Sequence, residues 1–194
     1  MLLLDVTKCY ENVNRHELAR LARALHFPPV LLRLSIQSYA WPRRVVLSHD
    51  IVSAQIPSDR GIAAGSIFAC YEIGAYVVQA VDYLGQFKSI GRQLTTRVLI
   101  HVDDLQLYGE AESKECLVDG MAQLSDEAAQ QFSALDMHFS ESKAVTVATS
   151  PDVARRFMNY VGRKSGTFEV CARNLGCDMQ FSRVKQRRLV FKNE

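Results

Sequence analysis

The sequence predicts an α+β fold, one antiparallel β-sheet with helices packed on one face. Three observations lead there. Short runs of β-branched and aliphatic residues come in pairs around tight turns, as hairpins require. Between them lie longer stretches in which apolar residues recur every three or four positions, as in helices that cover a sheet. Finally, 194 residues with 48% apolar side chains, including nine Phe, seven Tyr and one Trp, supply a core for one ordinary domain.

Taken in order, Leu2 to Val6 reads as a buried strand, and its abrupt start is expected to be a cut edge. Asn14 followed three positions later by Glu17 is a capping pattern, and Leu18, Leu21, Ala22 and Leu25 continue it as a helix to His26. Pro28-Pro29 ends that helix, and Val30 to Tyr39 forms a second one that stops before Trp41-Pro42. Arg43 to Ile56 reads as a hairpin. A small-residue loop, Arg60 to Ser66, leads into an apolar helix from Ser66 to Leu84. Thr95 to Val102 and Leu105 to Tyr108 are strands meeting at Asp103-Asp104. Leu117, Met121, Leu124, Ala128 and Phe132 mark one face of a helix from Ser113 to Leu135. A strand from Ala144 to Thr149, a helix from Pro151 to Tyr160 and a hairpin from Phe168 to Phe181 follow. Residues 1–182 are expected to form one folded unit and residues 183–194 a basic tail.

Lys and Arg total 23 against 21 acidic residues, a net charge of +2, so no general excess of positive charge marks a nucleic-acid binder. Such a partner must be met locally, for instance by Arg183, Lys185, Arg187, Arg188 and Lys192. The five cysteines, at 9, 70, 116, 171 and 177, are odd in number and contain no CxxC, which argues against a disulfide framework or a structural zinc site and for an intracellular setting. Cys9 and Cys70 read as small core residues. No apolar stretch approaches the roughly 20 residues a bilayer demands, so no membrane partner is expected.

The chemistry sits in the carboxylates. Eleven Asp in 194 residues yield roughly 0.6 adjacent pairs by chance, so Asp103-Asp104 alone says little. Placement says more: two like charges about 4 Å apart repel by roughly 4 kcal/mol at an effective dielectric of 20, and Ile100, Val102, Leu105 and Leu107 flank them closely. A divalent cation would relieve that repulsion. Asp5 ends another apolar strand, and three hard oxygen ligands near one sheet edge suit Mg²⁺ or Mn²⁺ rather than zinc. Two such ions support phosphoryl transfer.

Asp5-Val-Thr-Lys-Cys-Tyr10-Glu-Asn-Val-Asn14 resembles the first palm motif of reverse transcriptases, those of non-LTR retrotransposons in particular. Arg60-Gly-Ile-Ala-Ala-Gly-Ser66 is similar to their second motif, Ile100-His-Val-Asp-Asp-Leu105 to the third and Leu135 to Lys143 to the fourth. Asn174-Leu175-Gly176 is similar to the turn of the fifth, so five motifs stand in family order. The resemblance implies a polymerase palm, flanked in an intact polymerase by fingers and a thumb outside this sequence, that extends a DNA primer on an RNA template with deoxynucleoside triphosphates. It implies that Asp5, Asp103 and Asp104, with the Val6 carbonyl, hold two Mg²⁺ or Mn²⁺ ions. Tyr10 would lie under the incoming sugar and exclude a 2′-hydroxyl, while Gly65 and Ser66 would let the backbone approach the nucleotide. Lys143 would face the triphosphate and, with its pKa lowered, protonate the leaving pyrophosphate. Leu175 and Gly176 would support the primer end.

Three positions depart from the family pattern. Ala63-Ala64 stand where Pro-Gln is usual, and His101 stands where Tyr or Phe is usual, read here as a packed or half-exposed side chain. Two other functions stay open: a catalytically inactive palm remnant that at most binds nucleic acid, and a polymerase copying RNA into RNA, against which Tyr10 argues.

Overall fold

The computed structural model describes residues 1–48, 51–87, 94–174 and 177–180. Leu175, Gly176 and the basic tail of 183–194 lie outside the described residues. In chain order the elements are β1 (Leu2–Asp5), α1 (Arg15–Ala24), α2 (Pro29–Ala40), β2 (Val46–Ser48), β3 (Ile51–Val52), α3 (Ala69–Gly85), β4 (Leu94–His101), β5 (Asp104–Ala111), α4 (Lys114–Ser133), β6 (Val145–Val147), α5 (Pro151–Val161), β7 (Thr167–Glu169), β8 (Cys171–Asn174) and β9 (Cys177–Gln180). The fold is α+β. The chain divides into two compact units: Met1–Thr7 with Val81–Gln131 and His138–Glu194, and Lys8–Ala80 with Phe132–Met137.

The first unit is built on a five-stranded sheet in the order β4-β5-β1-β6-β7. Its two faces differ, and register explains why. Val98 pairs with Leu107 and Ile100 with Leu105, while Leu2 and Leu4 of β1 pair with the same Leu107 and Leu105. These side chains share one face, because alternate residues of a strand point the same way. Gly109 continues that face, and a Cβ there would meet Met121 Sδ of α4 at 2.3 Å. Leu2, Thr146, Val118, Met121, Ala154 and Phe157 line a cavity beneath it, so α4 and α5 both cover this side. The other face carries Leu3, Asp5, Asp104, Gln106 and Leu99. Leu3 and Val147 pack there against Ala172 of β8, whereas Leu99, towards the β4 edge, is 60% exposed.

One pairing departs from the expected antiparallel sheet. β6 and β7 run parallel, Val145 to Val147 pairing with Thr167 to Glu169. The reason is the connection: α5 and a 3₁₀ turn, Gly162–Ser165, carry the chain back across the sheet before β7 begins, and a helical crossover delivers a strand in the same direction. The hairpin expected from residue 168 is therefore shared between β7, which joins the sheet, and the separate pair β8–β9. Gly166 makes the entry to β7 possible. It has φ +63°, and a Cβ there would lie 1.7 Å from the Ala144 carbonyl oxygen.

In the second unit, Asn14 caps α1 by accepting from the His16 and Glu17 amides, as the Asn14 to Glu17 spacing predicts. Leu18, Leu21 and Ala22 are buried, while Leu25 is exposed. Pro29, expected to interrupt, opens α2 as its first residue, where the missing N–H costs nothing. The predicted hairpin forms as β2–β3, extended by the Arg43–Ile56 bridge. α3 carries a fully buried Glu72, which accepts a 2.8 Å hydrogen bond from Tyr39 and another from Ser35. Cys9 is buried as expected, but Cys70 is exposed: it lies on the open side of α3, with its Sγ 3.8 Å from the Tyr10 hydroxyl.

Candidate functional site

Backbone pairing brings the acids of the first unit together. Asp5 lies directly opposite Asp104, the last pair of the β1–β5 ladder, and opposed residues hold their Cβ atoms about 5 Å apart. Asp103 sits in the two-residue turn between β4 and β5, tied down because the Val6 amide donates to its carbonyl at 2.8 Å. The turn is strained: Val102 has φ 57°, a left-handed conformation that a β-branched side chain disfavours. Strain of that kind persists where surrounding structure overdetermines it. Here the β4–β5 ladder on one side and the Val6–Asp103 bond on the other do so.

The charges act on one another. The Asp104 carboxyl is held above the usual carboxylate range, first by burial and then by the negative charges of Asp103 and Asp5, with His101 and Lys143 working against the rise. His101 is exposed and lies opposite Asp104 in the ladder, so it belongs to this edge and is not packed inside. Lys143 donates to both Asp5 carboxylate oxygens, at 2.9 and 3.1 Å. That contact raises the Lys143 pKa. The lowered value wanted for a proton donor is thus opposite to what this geometry gives, and Lys143 stands as a fixed positive charge.

A cleft of about 130 Å³ opens beside Asp5, Asp104 and Lys143, several times the roughly 30 Å³ that one water occupies in the liquid. Val6 continues the edge as a bridge to Phe139, built from the Thr7 amide to the His138 carbonyl and the Ser140 amide to the Asp5 carbonyl. That pattern does not draw on the Val6 carbonyl. As donors, three carboxylates and a carbonyl are the hard oxygens that divalent cations of the Mg²⁺ type prefer, and the mutual repulsion registered at Asp104 is what such a cation would relieve. Asp5, Asp103 and Asp104 could therefore hold one. Among the described residues, however, no three His, Cys, Asp or Glu side chains already surround a common point as a preformed cage; the Asp5 carboxylate is turned onto Lys143 instead.

Tyr10, Gly65 and Ser66 belong to the second unit. Tyr10 is partly buried, and its carbonyl accepts from the Ile62 amide at 2.9 Å. Gly65 is exposed, with normal backbone angles and nothing within 4 Å of where a Cβ would stand. The glycine that the chain itself requires in this loop is Gly61, with φ +81° and a hypothetical Cβ 2.9 Å from the Glu11 carbonyl oxygen. Sequence reasoning missed two further residues, Arg15 and Glu72, both buried. Arg15 follows the Asn14 cap, and no local pattern marks it as buried. Glu72 is the sole acid in the apolar stretch Ala69 to Val81, the one signal that could have drawn attention to it.

Among the described residues, no helix is long and apolar enough to cross a membrane. Scanned against models of known families, the chain matches none, and no curated protein sequence matches it.

Proposed function

We propose that this chain is the palm of a retroelement-type RNA-directed DNA polymerase, a reverse transcriptase that adds deoxynucleotides to a primer 3′-hydroxyl on an RNA template. One observation carries the reading: Asp5 and Asp104, from motifs about a hundred residues apart, face each other across neighbouring strands with Asp103 in the adjoining turn, beside an open cleft. Two Mg²⁺ or Mn²⁺ ions bound by these acids and the Val6 carbonyl would supply the activation of the hydroxyl and the neutralisation of the leaving pyrophosphate. The chain's own contributions follow from its residues. Lys143, held protonated, balances triphosphate charge once it leaves Asp5. Tyr10 excludes a ribose hydroxyl. The open surface at Gly65 and Ser66 accepts nucleotide and template where a side chain would obstruct them.

The Lys143–Asp5 pair favours a second reading, an inactive palm remnant whose carboxylate is neutralised internally. Primer extension separates the two. On an RNA template with a DNA primer and Mg²⁺ or Mn²⁺, the chain and its fusion to the fingers and thumb of a non-LTR retrotransposon polymerase are each compared with the Asp103→Ala form. The polymerase reading expects extension that Asp103→Ala abolishes. Extension that survives the substitution contradicts the catalytic assignment, and no extension by any form favours the remnant.

A further inference from the structure

Arg15 is the first residue of α1, yet only 8% of it is exposed. Its guanidinium is spent on a single loop. Nε donates to the Gly61 carbonyl at 2.7 Å, one terminal nitrogen to the Ser58 carbonyl at 2.5 Å, and the other to Ser58 Oγ at 2.6 Å and the Arg60 carbonyl at 2.9 Å. Three carbonyls within four residues thus converge on one planar fork, a match that the single point charge of a lysine cannot reproduce. Burying a guanidinium is costly, and here the cost is offset by four hydrogen bonds to residues 58–61, so the residue fixes the geometry of that loop as well as stabilising it.

The loop so held is stitched to the segment that carries Tyr10. The Gly61 amide donates to the Val13 carbonyl at 2.8 Å, the Ile62 amide to the Tyr10 carbonyl at 2.9 Å, and the Arg60 guanidinium to the Asn12 carbonyl at 2.6 Å. With residues 58–62 fixed in this way, the chain leaves Ile62, itself buried, to expose Ala64 and Gly65.

We propose that Arg15 is a positioning residue: it locks the second-motif loop against the first-motif segment, so that Gly65 and Ser66 stand at a set distance from Tyr10. This deepens the polymerase reading and rests on it, because the groups so spaced are those assigned to the incoming nucleotide. Arg15 touches neither nucleotide nor metal; it acts through the loop.

The test compares wild type with Arg15→Lys and with the milder Ser58→Ala, in the whole chain. Amide hydrogen exchange reads the clamp without reference to activity. Exchange across residues 58–66 is expected to quicken by about tenfold or more in Arg15→Lys, and less in Ser58→Ala, while the β4 and β5 amides keep their protection. Primer extension reads the consequence: a deoxynucleotide KM raised about tenfold, with kcat changed by less than about threefold, and weaker discrimination against ribonucleotides. Unchanged protection at 58–66, or equal loss of protection throughout the chain, overturns the clamp. A loosened loop with unaltered KM and sugar preference overturns its positioning role. Should neither the chain nor its fusion to fingers and thumb extend a primer, the polymerase reading fails, and the exchange result alone decides whether Arg15 holds the loop.

Discussion

Val102 sits where a fold built only for stability would favour glycine. Val102 holds a left-handed turn that glycine adopts freely. The strain costs about 1–2 kcal/mol, against roughly 0.5–1 kcal/mol of extra chain entropy that a glycine would lose on folding. Val102→Gly is therefore expected to leave thermal stability unchanged or slightly raised, and a loss above about 1 kcal/mol would show that the valine side chain contributes packing that outweighs the strain. Gly61 and Gly65 make the complementary case. Gly61→Ala places a Cβ against the Glu11 backbone at positive φ and should cost roughly 1–3 kcal/mol in denaturant melts. Gly65→Ala meets nothing within 4 Å among the described residues, so it should melt like wild type yet impair primer extension. Equal activity in Gly65→Ala would remove that residue from the nucleotide surface.

At the scale of elements, α3 shows how a buried polar side chain is accommodated. Glu72 is fully inside and takes its hydrogen bonds from Ser35 and Tyr39 of α2. Burial pushes the Tyr39 hydroxyl up to about 12, the Glu72 contact adding to the rise and a hydrogen bond with Ser66 opposing it. Tyr39 thus remains a neutral donor throughout the working pH range. Removing the side chain takes a partner from both hydroxyls and leaves Ser35 its bond to the Leu32 carbonyl. Glu72→Ala is expected to cost roughly 2–4 kcal/mol and Tyr39→Phe about 1 kcal/mol, measured by urea unfolding; a neutral Glu72→Ala would show that the network carries no stability. Elements also mark how far the sequence could be read. The capping pattern at Asn14 and the apolar face of α4 were legible because they are local, set by side chains within one or two turns. The parallel pairing of β7 was not, since it depends on where a crossover delivers the chain, and a three-residue strand carries no sign of its partner's direction.

For the whole molecule, the acids were legible and their state was not. The spacing of Asp5 from Tyr10 and the doublet Asp103-Asp104 can be read in one dimension, and antiparallel pairing then brings Asp5 opposite Asp104. Nothing in the sequence foretold that Lys143 would occupy both Asp5 oxygens, because that contact joins residues 138 positions apart. Arg15 escaped for the same reason: its partners lie 43 to 46 residues away. The proposed polymerase requires carboxylates from two distant segments to act together as one divalent-cation site. Mn²⁺ titration followed by the electron spin resonance signal of the free ion tests it without template or nucleotide. Saturable binding is expected, weakened at least roughly tenfold by Asp103→Ala and by Asp5→Asn and tightened by Lys143→Ala, which frees the Asp5 oxygens. Titrations of Asp103→Ala and Asp5→Asn that overlay the wild type would overturn the cation site.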